Sequence, residues 1–528
     1  MLRVEVHTSV SKPDDPIEKA IRQFHIRSCD VLGAELYRRS LDARSKRSAI
    51  FVDLIDFELA NEKTYAHKIK NSRLVHPFHY SLPDPGTGRL EHRPLIIGFG
   101  PAGITAAYAL AKKGYRPLVL ERGPTIQDRK KAVDAFWKGG SIDTEANVQF
   151  GEGGAGAFSD GKLTTRVKDP RVRLILDALV LAGADPSIVW THHPHIGTDA
   201  LIGINENIRH AIENMGGEIR FSSRVEDILV HNGSIQGVRL SSGEEIVANA
   251  IILAIGHSAR DTMHMLATKP DLILAPKNFA VGIRVEHLQS FINQQQYRNI
   301  ENIENLPAAE YHLAHRAANG KGVYSFCMCP GGYVVDGSCM PDTIVTNGMS
   351  YASRNGRQAN SAIVVQVDQT DFGEELFSGM DFQEILEHKA WMVGKGKAPA
   401  QRIANFLDPA LKNLPEEVIP TFPRQTTLTD MHALFNPAMA AALQEFFQYT
   451  EKIWPRFSLG NGMMTGVETR TSSPIRILRD RNTLESGIKG LWPAGEGAGF
   501  AGGIVSSAID GLKCAEEIIR RYAPRENE

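Results

Sequence analysis

The segment Gly98-Phe-Gly-Pro-Ala-Gly103 is the feature that most restricts how this chain can fold. It follows an apolar run at residues 94–97 and precedes residues 104–113, whose apolar side chains recur at helical spacing. A second apolar run, residues 117–120, ends in Glu121. This order predicts a strand, a glycine-rich turn, a helix and a second strand, which together form one βαβ unit on a parallel sheet.

Each position of the turn has a physical task in a dinucleotide site. Gly98 permits the tight turn from strand to helix, Gly100 lets the backbone approach a pyrophosphate, and Gly103 lets the helix pack close to the strand. Pro101 and Ala102 open the helix, whose N-terminal N–H groups and partial positive charge attract phosphates. The turn therefore predicts the pyrophosphate site of a Rossmann-like domain.

Glu121 supports the same interpretation because it ends the second strand. Its carboxylate can accept hydrogen bonds from the hydroxyls of a ribose. An acid at this position argues against a 2′-phosphate, and so against NADP at this site. The alternative is a glycine-rich turn in an α/β protein that binds no nucleotide.

The length of 528 residues predicts more than one domain. Residues 1–90 predict a small N-terminal α/β domain, and residues 91–275 the first part of the dinucleotide-binding domain, with one long strand at 246–254. Residues 276–464 have mixed character and predict an inserted α+β domain. Residues 465–528 predict a strand, a glycine-rich turn and a helix that return to the dinucleotide-binding domain. The predicted fold class is α/β.

Composition and charge argue against several other classes of protein. Acidic and basic residues nearly cancel at a formal charge of −2, which gives no strong nucleic-acid signal. Five cysteines are too few for a disulfide framework, and no cysteines and histidines stand at zinc spacing, so we expect no metal site. Neither a signal peptide nor an apolar run long enough for a membrane span is visible, so we expect a cytoplasmic location.

Three further segments carry a resemblance to a known family. They are Glu121-Arg-Gly123, the stretch 151–163 (GEGGAGAFSDGKL) and the stretch 490–504 (GLWPAGEGAGFAGGI). With them the chain resembles the two-dinucleotide-binding-fold flavoproteins, which carry FAD, over nearly its whole length. It is similar to a bacterial group of FAD-dependent dehydrogenases that is described as NAD(FAD)-utilising dehydrogenase-like. The resemblance implies a Rossmann-like FAD-binding domain that the inserted domain covers.

The resemblance also implies which residues hold the FAD. In the family pattern, three further parts of the chain contact the FAD besides the first turn and Glu121. The residues after the second strand contact the adenosine, a glycine-rich loop lines the pyrophosphate and ribityl chain, and the last helix points at the flavin. Beyond the first turn and Glu121, the implied residues are Arg122, Gly154, Ser159, Gly161, Lys162, Leu163, Val225, Gly256, Gly495, Glu496, Gly502, Gly503 and Ile504.

The residue types in these segments allow such contacts on physical grounds. Small residues in 151–163 let backbone N–H groups converge, and Ser159 and Lys162 can meet an anion. One departure from the family pattern is Ile255, which replaces the threonine of an Ala-Thr-Gly turn before Gly256 and removes its hydroxyl contact. The alternatives are a surface loop at 151–163 and, at 490–504, a helix start without a ligand.

Cys327 and Cys329 are the most conspicuous candidates for redox chemistry. Residues two apart in a strand share a face, and a thiol pair beside a flavin can exchange electrons with it. However, redox thiols usually stand in a Cys-x-x-Cys motif at a helix N-terminus, and a disulfide between positions i and i+2 is strained. Small side chains that pack near the flavin are the alternative, so the sequence does not identify catalytic residues.

Other polar residues near these motifs allow a functional and a structural interpretation. His257 follows the Gly256 turn and faces either the cofactor or its own turn. Arg284 and Glu286 share one strand face and can pair with each other. In the segment 468–476, Arg470, Ser473 and Arg476 precede the last predicted strand, and the two arginines either bind an anionic substrate or form structural ion pairs.

The resemblance implies an oxidoreductase that transfers hydride between a small-molecule substrate and FAD. NADH or NADPH is a possible transient electron donor, although no second βαβ fingerprint is present. Two alternatives remain open at this point. One is a flavin-containing binding or RNA-associated protein that docks a partner through residues 1–90, and the other is a protein that uses FAD only structurally. The sequence does not predict the oligomeric state.

Overall fold

The computed structural model describes residues 1–10, 14–44, 48–76, 80–165, 167–298, 300, 306–412 and 416–525. They form an N-terminal unit, a five-stranded parallel sheet with helices, and a large second sheet. This arrangement confirms the predicted α/β fold with its Rossmann-like domain. In the part of the chain that is described, no helix has the length and apolar character needed to cross a membrane.

The N-terminal unit is a four-stranded sheet with two helices. Its elements are β1 (Leu2–Ser9), α1 (Pro16–Gln23), β2 (Val31–Asp42), β3 (Ile50–Leu59), α2 (Glu62–Lys68) and β4 (Arg73–Leu74). The strand order is β2-β3-β1-β4. Leu2, Val4 and Val6 are buried at alternate positions, as a strand with one apolar face requires. Asp15 caps α1 by accepting hydrogen bonds from the N–H groups of Ile17 and Glu18.

The next elements build the parallel sheet and its neighbours. They are β5 (Leu95–Ile97), α3 (Pro101–Lys112), β6 (Leu118–Leu120), α4 (Ile126–Trp137), α5 (Arg171–Leu181), α6 (Thr198–Asn214), β7 (Glu218–Arg220), β8 (Val225–His231), β9 (Ser234–Leu240), β10 (Glu245–Val247), β11 (Ile251–Leu253) and α7 (Arg260–Ala267). Strands β8, β9 and β10 form a separate antiparallel sheet. The strand predicted at 246–254 is therefore wrong in its extent, because β10 pairs with β9 and β11 joins the parallel sheet.

The inserted part of the chain contains a seven-stranded sheet. Its elements are β12 (Leu274–Pro276), β13 (Phe279–Leu288), α8 (Gln289–Tyr297), β14 (Ala314–Arg316), β15 (Gly322–Cys329), β16 (Tyr333–Asp336), β17 (Thr346–Met349), β18 (Gln358–Val367), α9 (Gln369–Phe372), α10 (Ser378–Val393), β19 (Ala398–Arg402), α11 (Ile403–Leu407), β20 (Thr426–Leu428), α12 (Pro437–Ile453) and β21 (Met463–Glu468). The order in the sheet is β14-β15-β18-β13-β21-β19-β20. Within the same part of the chain, β16 and β17 pair separately, while β12 pairs with a later strand.

The chain then returns to the parallel sheet through β22 (Ile475–Ile477), β23 (Leu491–Pro493) and α13 (Ile504–Arg521). Strand β22 pairs with β12, and β23 joins the parallel sheet beside β11, giving the order β23-β11-β5-β6-β7. Helices α13 and α3 pack closely, since a Cβ on Gly511 would lie 2.0 Å from the Ala102 carbonyl oxygen. The last segment of the chain thus lies against the first glycine-rich turn.

Candidate functional site

The glycine-rich turn after β5 adopts the tight conformation that its sequence predicts. Gly98 has a φ of +99°, and its N–H donates a hydrogen bond to the Leu120 carbonyl. A Cβ on Gly98 would lie 2.4 Å from the Ala254 oxygen, and a Cβ on Gly103 would lie 2.0 Å from the Gly98 oxygen. Both glycines are therefore required by the packing of the turn itself.

Gly100 differs from these two glycines because its open side faces the cleft. It has extended backbone angles, and a Cβ there would meet nothing closer than the Gly154 Cα at 3.5 Å. Gly100 is also the N-cap of α3, and no side chain caps this end of the helix. Among the described residues, the first N–H groups of α3 therefore lack a side-chain partner, which leaves them for an anion.

The carboxylate of Glu121 holds three loops together at the end of β6. One of its oxygens accepts from the N–H of Phe99 at 2.7 Å, and the other from the N–H groups of Gly123 and Gly151 at 2.9 Å each. The side chain is buried, with 5% of the residue exposed. Glu121 thus has a structural role that the sequence did not predict, and its contact with the ribose stays a prediction.

Substitution Glu121→Gln is expected to destabilise the FAD-free protein. A glutamine amide group presents N–H donors where the carboxylate accepts, so at least one buried backbone donor loses its partner, at a cost of about 1–3 kcal/mol. The free energy of unfolding in urea measures the effect, with the exposed Glu226→Gln as the control. Equal stability of the two variants would contradict the proposed loop-holding role.

Arg122 connects the end of β6 to two other segments. It pairs with Glu145 at 2.7 Å and with Asp261 at 2.9 Å, and its guanidinium lies 4.1 Å from the Phe150 ring centroid. Val225 is placed nearby, since the N–H of Ser223 donates to the Glu121 carbonyl. Arg122 and Val225 therefore lie at the same end of the cleft as Glu121, and their adenosine contacts stay a prediction.

Arg129 organises the loop that follows α4, and the sequence analysis missed it. It is fully buried and donates hydrogen bonds to backbone carbonyls of the described loop 147–154. Burial lowers the pKa of Arg129 to about 10. The accepting carbonyls belong to Asn147, Val148, Gly151, Glu152 and Gly154. The available signal was an arginine on the otherwise apolar stripe of α4, which Ile126, Val133 and Phe136 form.

The polar residues of the loop 151–163 already have protein partners. Ser159 donates to the Gly156 carbonyl at 2.7 Å and accepts from the N–H of Gly161, so it closes its own turn. The Lys162 ammonium donates to the Met328 carbonyl and lies 3.5 Å from Glu310. Lys162 therefore joins this loop to the second sheet.

The remaining members of this loop have packing roles or face the first turn. Gly154 has a φ of +58°, and a Cβ there would meet the Gly100 Cα at 2.9 Å. Gly161 has a φ of +68°, and Leu163 is buried in the core of the parallel sheet. Gly154 is thus the loop residue that the structure brings closest to the predicted pyrophosphate site at Gly100.

The C-terminal segment reaches the same cleft, as predicted. The N–H of Gly495 donates to Asp510 at 2.7 Å, and a Cβ on Gly495 would lie 2.9 Å from the Ala102 Cβ. Gly503, with a φ of +80°, is the N-cap of α13, and no side chain caps this helix start, which Ile504 opens. A second uncapped helix N-terminus therefore lies beside that of α3.

The open space in the cleft fits a long ligand that carries phosphates. A Cβ on Gly256, Gly502 or Gly503 would meet no atom within 4 Å, whereas Gly98 and Gly103 have no such room. Open glycine backbone and two uncapped helix starts are features that admit a pyrophosphate and an adjoining ring system. The residues present therefore fit FAD.

His257 and Glu496 form a pair at the flavin end of the cleft. His257 Nδ1 lies 3.2 Å from a Glu496 carboxylate oxygen, and the imidazole is 9% exposed. Its Nε2 atom is buried and has no hydrogen-bond partner among the described residues. The contact between His257 and Glu496 connects the Gly256 turn to the C-terminal segment. It fits both predicted orientations of His257, toward the cofactor and toward its own turn.

Cys327 lies in an irregular part of β15. Its φ is +42°, and the register of β15 against β18 shifts between Phe326 and Cys329. The Cys329 thiol is buried and donates to the Cys327 carbonyl at 3.3 Å. Cys327 is exposed as a residue, but the protein atoms around its thiol desolvate it and raise its pKa to about 11, whereas Cys329 is buried and its pKa is raised to about 12. Both groups are therefore protonated thiols at neutral pH, which disfavours redox thiol chemistry.

Alkylation of Cys327 by iodoacetamide is expected to be slow at neutral pH and to accelerate above pH 9. The raised pKa lowers its thiolate fraction about a hundredfold relative to a thiol with the ordinary pKa of 9.0. Mass spectrometry of the labelled peptides measures the rates, with the exposed Cys29 as the internal control. Cys327 alkylation at neutral pH as fast as that of Cys29 would contradict the raised pKa.

The expected pairing of Arg284 with Glu286 is wrong. Arg284 pairs instead with Glu468 at 2.6 Å, and both side chains are buried. Glu286 accepts from Thr421 and Gln358, and burial raises its pKa to about 7. Strand β21 lies beside β13 and carries Glu468 opposite Gly282, which places its carboxylate within reach of Arg284 two residues further along β13.

Arg470 is a structural residue rather than a substrate contact. It and Arg260 both pair with the buried carboxylate of Glu387 at 3.0 Å. The Ser473 hydroxyl donates to the Ile475 carbonyl and is 2% exposed as a residue. For Arg470 the ion-pair interpretation is confirmed, and Arg476 is the member of the set that lies beside the C-terminal loop, at Gly499.

Comparisons with known proteins identify the class. Residues 278–471 match the family described as FAD-dependent protein, C-terminal domain-like, and residues 96–137 match the NAD(P)-binding Rossmann-like domain. A digeranylgeranylglycerophospholipid reductase of Haloferax volcanii is 30% identical over 193 residues, covering 36% of this chain and 41% of that protein. The fold, the cleft and these matches define an FAD-dependent oxidoreductase.

One relative covers almost the whole chain. A protein of Clostridium beijerinckii, described as uncharacterized, is 40% identical over 524 residues, which are 98% of each chain. The chain belongs to the FAD-dependent oxidoreductase family that includes this clostridial protein. A geranylgeranyl bacteriochlorophyll reductase-like protein of Thermoplasma acidophilum is 12% identical, with 82% of this chain and 78% of that chain covered at a TM-score of 0.34. At that score the structural likeness carries no argument.

Proposed function

We propose that this enzyme transfers hydride between a small-molecule substrate and FAD, and that residues 276–464 form the substrate domain over the flavin. Residues 91–275 and 465–528 make up the FAD-binding domain in this proposal, and residues 1–90 a separate N-terminal domain. The observation that carries it is the hydrogen bond from Lys162 to the Met328 carbonyl. This bond joins the FAD-side loop to the second sheet at the edge of the cleft, where a substrate would meet the cofactor.

The residues of the cleft have distinct tasks in this proposal. The first turn and the start of α3 bind the pyrophosphate, the Glu121 end binds the adenosine, and the start of α13 stabilises negative charge on the flavin. FAD supplies the redox chemistry by accepting or donating hydride when it is bound. The protein residues proposed to hold it are Gly98, Gly100, Pro101, Ala102, Gly103, Glu121, Arg122, Gly154, Ser159, Gly161, Lys162, Leu163, Val225, Gly256, Gly495, Glu496, Gly502, Gly503 and Ile504.

An anaerobic titration tests the proposed redox function. The FAD-loaded protein is titrated with NADH, NADPH and dithionite while the flavin absorption is followed. We expect bleaching by dithionite and by at least one nicotinamide, in keeping with the group described as NAD(FAD)-utilising dehydrogenase-like. Bleaching by dithionite alone would contradict a nicotinamide donor, and a flavin that resists dithionite as well would contradict the redox function.

An RNA-associated role of residues 1–90 gains no support from the charges of the N-terminal unit. Arg3 pairs with Asp56 and Arg39 with Asp53, each at 2.6 Å, and Arg27 pairs with Asp30 at 2.9 Å. Guanidinium groups held by carboxylates are not free to neutralise phosphates. Lysine and arginine are also interleaved in the sequence from Arg38 to Arg47, and this stretch lies in part outside the described residues, which end at 44 and resume at 48.

A further inference from the structure

Lys277 and Arg476 form a pair of neighbouring cations at the edge of the cleft. Lys277 follows β12, its N–H donates to the Pro474 carbonyl, and Arg476 lies on the paired strand β22 opposite Ala275. Within the described ranges, the hydrogen bonds of the Lys277 ammonium go to the Ser472 hydroxyl oxygen at 3.4 Å and the Ser473 carbonyl at 3.3 Å. Both side chains are half-buried.

The same pair lies against the C-terminal loop of the proposed FAD site. The Arg476 Nε atom donates to the Gly499 carbonyl at 3.3 Å, and the N–H of Ile477 donates to the Ala498 carbonyl. A Cβ on Gly499 would lie 3.0 Å from the Arg476 Cα, so strand and loop are in backbone contact. The Arg476 guanidinium also lies 5.3 Å from the Phe500 ring centroid, and its two Nη groups have no hydrogen-bond partner in the part of the chain that is described, so they can make a bidentate contact with a carboxylate.

Neither cation has an ion-pair partner among the described residues. In this respect Lys277 and Arg476 differ from five other arginines of the protein. Arg122, Arg260, Arg354, Arg470 and Arg479, which are also largely buried, each pair with one or two carboxylates. Half-buried charges in proteins are usually paired, because desolvation without a counter-charge is costly. The positive charge of Lys277 and Arg476 is therefore available to a negative group from outside the chain.

The nearby carboxylate does not supply that counter-charge by contact. Glu496 pairs with His257, and its electrostatic effect on Lys277 is weaker than that of burial and of Arg476. Burial and the adjacent Arg476 together lower the pKa of Lys277. An anion bound between the two cations relieves this repulsion.

We propose that Lys277 and Arg476 bind the carboxylate of an anionic substrate beside the flavin. The proposal deepens the proposed function by naming the substrate class, and it rests on that function. The Gly100 turn and the start of α3 already serve the phosphates of FAD, so this second positive site takes a different anion. The Ser472 hydroxyl accepts from Lys277 and keeps its own O–H for the same ligand.

A carboxylate titration of the FAD-loaded protein tests the proposal. The probes are acetate, succinate and benzoate, each beside its neutral amide, and the readouts are the flavin difference spectrum and isothermal calorimetry. We expect at least one carboxylate to bind and its amide to bind more weakly. Lys277→Gln and Arg476→Gln should each raise the Kd about tenfold, the effect of one lost charge-assisted hydrogen bond. Arg476→Lys, which keeps the charge, should raise it less.

The control is Arg316→Gln, an exposed arginine on β14, which should leave the Kd unchanged. Absence of carboxylate binding in the wild-type protein, or an unchanged Kd in both glutamine variants, would overturn the proposal. If the two glutamine variants lower the flavin midpoint potential and leave the carboxylate Kd unchanged, the proposal would also be overturned, because Lys277 and Arg476 would then stabilise the reduced flavin instead of binding a substrate. Wild-type protein that keeps FAD and still binds no carboxylate refutes this site alone, whereas failure to hold FAD refutes the proposed function.

Discussion

Gly100→Val is expected to give a folded protein that does not bind FAD. A Cβ at this position would meet only the backbone of Gly154, with the Cα at 3.5 Å and the nitrogen at 3.9 Å, so the turn itself has room for a side chain. The branched side chain would instead occupy the face from which a pyrophosphate approaches the first N–H groups of α3. FAD affinity, measured by flavin fluorescence quenching, should fall by roughly a hundredfold or more, equivalent to about 3 kcal/mol.

The matched control is Gly203→Ala in α6. A Cβ on Gly203 would meet no atom within 4 Å, and the position lies inside a helix, where alanine is more favourable than glycine by roughly 0.5–1 kcal/mol. Gly203→Ala should therefore keep both its fold and its FAD. Gly100→Val protein that purifies with bound FAD would refute the assignment of the pyrophosphate to this turn.

Arg129→Met is expected to destabilise the protein and to abolish FAD binding. The arginine donates to five backbone carbonyls of the loop 147–154, and methionine fills the space but donates none of these hydrogen bonds. Several carbonyls buried without donors should cost roughly 3 kcal/mol or more. Urea unfolding of the FAD-free protein measures the stability, and FAD titration measures the loss of the loop.

Arg129→Lys separates charge from geometry at the same position. A lysine ammonium has only three donors at one point, whereas the planar guanidinium reaches carbonyls on several sides. The lysine variant should thus be nearly as impaired as Arg129→Met. Full FAD affinity in either variant would contradict the view that Arg129 shapes the FAD-side loop.

The elements around the first turn were predictable because their signals are local. The run 94–97, the glycines and Glu121 lie within one short stretch, and β5, α3 and β6 follow that pattern closely. The convergence of the last segment on the same cleft was predictable only through the family resemblance. Physically, β23 joins β11 by hydrogen bonds between strands far apart in the chain, and no local spacing records such pairing.

Several contacts within the site were not predictable because they depend on the tertiary structure. Arg284 pairs with Glu468 and not with Glu286. Glu468 lies on β21, which is far from β13 in the sequence and comes beside it only in the folded protein. Lys162 donates to a backbone carbonyl of the second sheet, and Arg129 donates to backbone carbonyls of the loop 147–154. Because every residue has a backbone carbonyl, the sequence does not indicate which of them a buried cation will bind. The strand expected at 246–254 divides because the chain changes sheets between β10 and β11, within a stretch that is apolar except for Asn249.

The absorption spectrum of the purified protein after incubation with FAD and removal of free cofactor tests the central claim most directly. The cleft formed by the first glycine turn, the Glu121 end and the start of α13 predicts one tightly bound FAD per chain, visible as the yellow absorption of oxidised flavin. Gly100→Val, treated in the same way, should be colourless. A folded wild-type protein that is colourless and takes up no FAD would contradict the assignment of this cleft.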